Sequence, residues 1–261
     1  MEDFWDTSDA RVGVAGDWHG SFIWIQRAIP RLARAGIKTV FQLGDFGVWP
    51  GHAGRKWVES TEYWCGRTDI TLVVTPGNHE DYSQLDALFG AHPGEPVRLR
   101  PHVVVLPRGY RWTQAGRRMM SFGGAASIDF VWRVTGETWW LTEMPTVHEV
   151  QTASAGGLVD VLLTHESPYP TPAVDAIMRT PGSWSWEARV YAAKSRELVG
   201  GLWGKVMPAL ALHGHYHVAD EITLPTGRRV VSLGCDGQTG NLGILDLKPL
   251  GFAWLGDTAH I

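Results

Sequence analysis

The sequence predicts an α/β fold, with α+β character in its second half, in which two mixed β-sheets pack against each other with helices outside. Three observations carry this. Short apolar runs alternate with helical patterns in the first half, the second half holds more strands than helices, and 261 residues with 44% hydrophobic side chains supply a sizeable core. Residues 11–15 read as a strand, 22–35 as an amphipathic helix and 39–43 as the next strand. A helix over 55–65, a strand over 70–75 and a helix over 82–89 complete a βαβαβα progression, which implies a parallel sheet covered by helices. After a Gly/Pro-rich loop at 92–96, the runs 102–106, 118–122, 160–164, 209–213, 229–233 and 242–247 read as extended. Hairpin signals stand at Pro225-Thr226-Gly227 and Asp236-Gly237. No repeat, low-complexity tract or linker divides the chain, so residues 1–261 are expected to form one domain.

A formal charge of −4 gives no general attraction to nucleic acid or to an anionic membrane. Any phosphate-bearing ligand must then be held by a local positive centre. Cys65 and Cys235 are too few for a disulfide framework, and both lie in runs that read as buried, which suits a reducing cytosol. The acidic N-terminus has no apolar stretch, and no later run approaches the roughly 20 apolar residues of a membrane helix. A cytoplasmic protein without membrane contact is expected.

Metal-ligand side chains end or follow these apolar runs. In Asp17-Trp18-His19 the two-apart spacing puts a carboxylate and an imidazole on one side of an extended segment. Asp45 follows the run 39–43 through Gly44, at the strand end where open α/β sheets gather ligands, and its two oxygens allow it to bridge two cations. In Gly77-Asn78-His79-Glu80 the amide oxygen of Asn78 is a neutral ligand, and the adjacent His79 points away from it, free to handle a proton. His165 closes the run 161–164, and His215 with His217 repeats the two-apart spacing. The mixed nitrogen and oxygen set accommodates Mn, Fe, Zn, Ni or Mg, with Mn or Fe/Mn favoured. Asp81 reads as the N-cap of the next helix, Glu80 either as a helix-start acid or as a group orienting a bound species, and His213 as a satisfied core histidine ahead of a partner that supports the ligands.

The ordered series Asp17-x-His19, Gly44-Asp45, Gly77-Asn78-His79-Glu80, Thr164-His165 and Gly214-His215-x-His217 resembles the calcineurin-like metallophosphoesterase superfamily, over most of the chain. The resemblance implies a four-layer αββα sandwich and a two-metal site. One metal would be held by Asp17, His19, Asp45 and His217, the other by Asp45, Asn78, His165 and His215. A bridging hydroxide would attack phosphorus in line, with His79 as general acid. Phosphoprotein phosphatases of this superfamily carry an Asp-Arg pair shortly after the bridging Asp, and purple acid phosphatases a Tyr three positions on. Here Phe46-Gly47-Val48-Trp49 follows Asp45, which supports neither.

The stretch 122–129, with Arg133, Trp139-Trp140 and Glu143, looks more like small bacterial and phage-type members, a group that often cleaves phosphodiesters, including cyclic nucleotides. Arg133, Trp140 and Tyr169 are the candidate substrate contacts: a guanidinium holds phosphate and an indole stacks on a base. Trp139-Trp140 reads more readily as core material, anchoring a helix over 141–150. The expected substrate is a small phosphodiester or nucleotide, such as a 2′,3′-cyclic or 3′,5′-cyclic one. The alternatives are a phosphomonoesterase or protein phosphatase, and a nuclease whose groove would use Arg98, Arg100, Arg108, Arg111, Arg117 and Arg118. A non-enzymatic metal-binding scaffold is the remaining class.

Overall fold

Four layers stack as helices, sheet, sheet, helices in the computed structural model, which describes residues 4–169, 171–180 and 184–256. The first half runs β1 (Arg11–Ala15), α1 (Phe22–Arg34), β2 (Thr39–Gln42), α2 (Gly51–Thr68), β3 (Thr71–Val74) and α3 (Tyr82–Ala91). Next come β4 (Val97–Arg100), β5 (Val103–Val105), β6 (Tyr110–Gln114), β7 (Arg117–Phe122), α4 (Val147–Ala155) and β8 (Val161–Thr164). The chain continues through α5 (Pro172–Arg179), α6 (Trp186–Val206), β9 (Leu210–His213), β10 (Asp220–Thr223), β11 (Arg229–Ser232), β12 (Leu242–Asp246) and β13 (Gly251–Trp254). The strands form a seven-stranded sheet, β13-β12-β1-β2-β3-β5-β4, and a six-stranded sheet, β10-β11-β9-β8-β7-β6. Both are mixed. β1, β2, β3 and β5 run parallel in the first, and β7, β8, β9 and β11 in the second, with antiparallel strands at the edges.

Strand alternation explains the layering. In β1, Val12 and Val14 face between the sheets, and so do Phe41, Val73, Met119, Val161, Leu163, Leu210 and Leu212. The intervening Val40, Leu72 and Val74 pack under α1 and α2, while Met120, Leu162 and Ala211 pack under α4 and α6. Because the central strands are buried on both faces, they read as continuous apolar runs rather than alternating ones.

The longest helix, α6, was not legible as a helix. Its buried positions keep helical spacing, yet they are Ala188, Ala192, Ser195, Arg196, Val199, Leu202 and Val206, and Gly200, Gly201 and Gly204 each cost about 1 kcal/mol relative to Ala. Small and charged residues on the packing face erase the apolar stripe that a sequence reading relies on. The helix expected over 141–150 is instead a 3₁₀ turn at Leu141–Glu143 followed by α4, which starts at a Thr146/Glu149 capping box. Pro225-Thr226-Gly227 does join β10 to β11, but Asp236-Gly237 is no hairpin: its loop carries the chain from β11 in one sheet to β12 in the other. Cys65 is buried as expected, whereas Cys235 is half-buried. Among the described residues no helix is long and apolar enough to cross a membrane.

Candidate metal centre

The parallel strands of both sheets end at the same edge, and the loops that leave them converge there. Asp17 follows β1, Asp45 follows β2, Asn78 follows β3, His165 follows β8, and His215 and His217 follow β9. Ligand atoms of Asp17, His19, Asp45 and His217 lie within 4.8 Å of one another. Beside them, His165 Nε2 stands 2.9 Å from Asn78 Oδ1 and 3.3 Å from Asp45 Oδ1, and the His165 and His215 rings are 5.0 Å apart. Asp45 touches both groups, since its Oδ2 lies 3.5 Å from His19 Nε2.

Convergence is not achieved by extended backbone, as the two-apart spacing suggested. His19, Asp45, His215 and His217 all adopt positive φ, at 43°, 50°, 72° and 53°. Non-glycine residues in that region cost roughly 1–2 kcal/mol each, so the loops turn sharply at an energetic cost that the surrounding structure sustains. Close approach also requires glycine at two turns. A Cβ on Gly77 would meet Asp45 N and Oδ1 at 2.2 Å, and one on Gly214 would meet Asp17 Oδ1 at 2.1 Å.

Several of these side chains are oriented by a partner. His165 Nδ1 donates to Leu43 O at 2.6 Å, which turns Nε2 toward Asp45 and Asn78. His19 Nδ1 bonds Asp236 Oδ1 at 2.9 Å, a carboxylate that sequence reading missed because it arrives from the crossover loop. The amide N–H of His79 donates to Asp45 Oδ1 at 2.9 Å, and that of His215 to Asp17 Oδ1 at 3.1 Å. Glu80 neither caps a helix nor faces the cluster. Its buried carboxylate accepts the N–H groups of Phe46, Gly47 and Val48 at 2.8–2.9 Å, pinning the loop after Asp45. Asp81 is the N-cap expected, accepting from Ser83 N and Gln84 N. His213 is buried at the end of β9, its Nδ1 toward Gly214 O, and burial lowers its pKa to about 3.

The electrostatics suit a cation. Burial would lower His19, but the charges of Asp45 and Asp17 outweigh it and raise the imidazole to about 9. His165 rises likewise to about 10 beside the same carboxylates, and His217 to about 10 beside Asp17 and Cys235, in both cases against burial. His215 is the opposite case: burial and the neighbouring His165 hold it well below the usual range, and its Nε2 is buried without a hydrogen-bond partner. A buried, neutral imidazole nitrogen with no partner, next to two carboxylates and an amide oxygen, fits a bound divalent ion.

Of the three candidate substrate contacts, only Arg133 reaches this place. Its Nη2 lies 2.6 Å from His79 Nε2, and Asp129 holds the guanidinium from behind through Nε at 2.7 Å. Trp140 packs half-buried against the core under α1 and α2, and Tyr169 lies 4.1 Å from the buried Arg196 guanidinium. The cluster opens to solvent at His19, His79 and His217, whose side chains are 26%, 37% and 41% exposed. The arginines that would line a nucleic-acid groove serve the fold. Arg108, Arg111 and Arg117 clip backbone carbonyls, Arg118 pairs with Asp160, Arg100 with Glu59, and Arg98 caps Pro101 O.

Comparison with known proteins agrees with this geometry. No curated protein sequence matches the chain significantly. Among solved structures, protein TT1561 of Thermus thermophilus is similar over 93% of this chain and 97% of its own, with TM-score 0.55 and 13% identity. A dimetal phosphatase from Danio rerio is similar over 90% and 92%, with TM-score 0.55 and 12% identity. At such identities these likenesses establish the fold, two mixed sheets flanked by helices. Residues 10–219, which include every residue of the cluster, match the family described as calcineurin-like phosphoesterase, and the chain belongs to that family.

Proposed function

We propose that this protein is a binuclear, divalent-metal-dependent phosphodiesterase of small diesters, nucleotide-derived ones such as 2′,3′-cyclic or 3′,5′-cyclic nucleotides foremost. One cation would be held by Asp17, His19, Asp45 and His217, the other by Asp45, Asn78, His165 and His215. The observation that carries this is the convergence of those side chains on Asp45 with the unpartnered His215 Nε2 beside it, in a chain of phosphoesterase family. Two cations of the Mn or Fe/Mn kind supply Lewis-acid charge and a water of lowered pKa.

The remaining work falls to the chain. Arg133, braced by Asp129 and by Thr138 O, places its guanidinium charge and a remaining Nη1–H at the rim beside His79, where they can hold a phosphate oxygen. Burial, together with the Arg133 charge, outweighs the pull of Asp45 and keeps the His79 pKa below its usual value, so the ring is neutral at neutral pH. This shifts the reading of His79 from proton donor toward a hydrogen-bonding partner of the leaving oxygen, with positive charge coming from Arg133. Asp129 offsets part of that charge. A pocket with one braced arginine suits a diester's single charge better than the nearly two of a monoester. With the six sequence-clustered arginines bound within the fold, nothing favours the nuclease reading.

The test is turnover of a cyclic nucleotide panel beside matching monoesters by chelated protein resupplied with Mn²⁺. The diester kcat/KM is expected to exceed the monoester value, and Arg133→Ala to lower it about 10- to 100-fold, the worth of one or two charge-assisted hydrogen bonds. Removing the guanidinium also lets the His79 pKa rise, so the acidic limb of the pH profile moves to higher pH. Monoester hydrolysis dominating with every metal would overturn the diesterase assignment.

A further inference from the structure

We infer that Glu143 is a positioning residue for the second metal, acting through Ser127 on the amide of Asn78. Glu143, Ser127 and Asn78 are at most 1% exposed, so water does not share their hydrogen bonds. Glu143 Oε1 accepts from Ser127 N at 2.7 Å, Trp139 Nε1 at 2.9 Å and Tyr191 Oη at 3.3 Å. Its Oε2 accepts the Ser127 hydroxyl proton at 2.8 Å. Burial raises the Glu143 pKa to about 7, and above that pH its carboxylate takes the single proton of the Ser127 hydroxyl, so the Ser127 lone pairs can only receive. They receive Asn78 Nδ2–H at 3.0 Å. The amide is thereby fixed with its nitrogen away from the cluster and Oδ1 toward it, 2.9 Å from His165 Nε2. Reversed, the same amide would present N–H groups to a cation.

The direction of this chain is set at Glu143, which lies beyond hydrogen-bonding contact with the cluster and comes from the segment that also carries Arg133. The inference rests on the two-metal reading and deepens it. It explains Glu143 and Trp139, which stand near each other in sequence without any role that spacing alone reveals.

Glu143→Gln is nearly isosteric and reverses the polarity. The three donors at Oε1 keep the glutamine oxygen in place, so its NH₂ occupies the Oε2 position and donates to Ser127. The freed Ser127 proton then turns to Asn78 and favours the flipped amide. Ser127→Ala deletes the link with the loss of one hydroxyl, and serves if the glutamine variant does not fold. Calorimetric titration of chelated protein with Mn²⁺ alone is expected to show two binding steps in the parent. In both variants the first step is unchanged and the second weakens about 10- to 100-fold. The exchange-coupled Mn(II) pair signal in electron paramagnetic resonance should appear only at correspondingly higher Mn²⁺. Two unchanged steps in a folded variant, or equal weakening of both, would overturn the positioning role. A parent protein that binds fewer than two ions would instead overturn the two-metal reading on which it rests.

Discussion

Asp45→Asn is expected to lower kcat/KM for phosphoester hydrolysis at least about a thousandfold in a protein that remains folded. Asp45 is buried, with Oδ1 3.3 Å from His165 Nε2 and Oδ2 3.5 Å from His19 Nε2. It is the carboxylate that reaches both groups of candidate ligands, and an amide has only one oxygen and no charge to offer. Its Oδ1 also accepts the backbone N–H of His79, a bond the asparagine oxygen can keep, which is why folding survives. Steady-state kinetics together with metal content per chain checks this. Retention of more than about a tenth of the parental activity would contradict the bridging role, at 1.4 kcal/mol per tenfold in rate.

Glu80→Ala acts by another route, through stability, and is expected to cost roughly 3–5 kcal/mol. Its fully buried carboxylate collects three successive backbone N–H groups from the Phe46–Val48 loop and a longer contact from Gly77 N at 3.3 Å. Deletion leaves those donors unpaired in the interior, on both loops that flank Asp45. For a chain of this size the loss corresponds to a fall in Tm on the order of 10 °C. Glu80→Gln keeps the shape and one strong acceptor, so its fall should be about half as large. Thermal unfolding of the three proteins distinguishes the cases, and an unchanged Tm for Glu80→Ala would refute the pinning role.

The parts of this fold and site that were legible in the sequence share a physical cause. β1, β2, β3, β8 and β9 are central strands buried on both faces, so each shows as an apolar run, and each candidate ligand sits just past its end. Asp17, Asp45, Asn78 and His165 could be placed for that reason. The left-handed backbone at His19, Asp45, His215 and His217 could not, because strain held by tertiary contacts leaves no compositional mark. Asp236 and Glu143 were invisible as supports, since Asp236 stands in an Asp-Gly pair that reads as a hairpin turn and Glu143 reaches the site from a 3₁₀ turn that follows no strand. Glu80 was read from its place beside a helix, while its carboxylate serves a loop more than thirty residues earlier. Helix α6 was lost because alanine, serine and a buried Arg196, paired with the half-buried Asp175, interrupt the usual apolar stripe.

Whether this cluster binds two cations is measured by calorimetric titration of chelated protein with Mn²⁺ in buffers of different ionisation enthalpy. With His19 near 9 and His165 and His217 near 10 in the metal-free protein, all three imidazoles hold protons at neutral pH and must lose them to act as ligands. The expected result is two Mn²⁺ per chain with release of about three protons, and affinity that falls as pH is lowered because protons compete for the same nitrogens. A stoichiometry of one or none, or binding of two ions without proton release, would rule out a two-cation centre on these imidazoles.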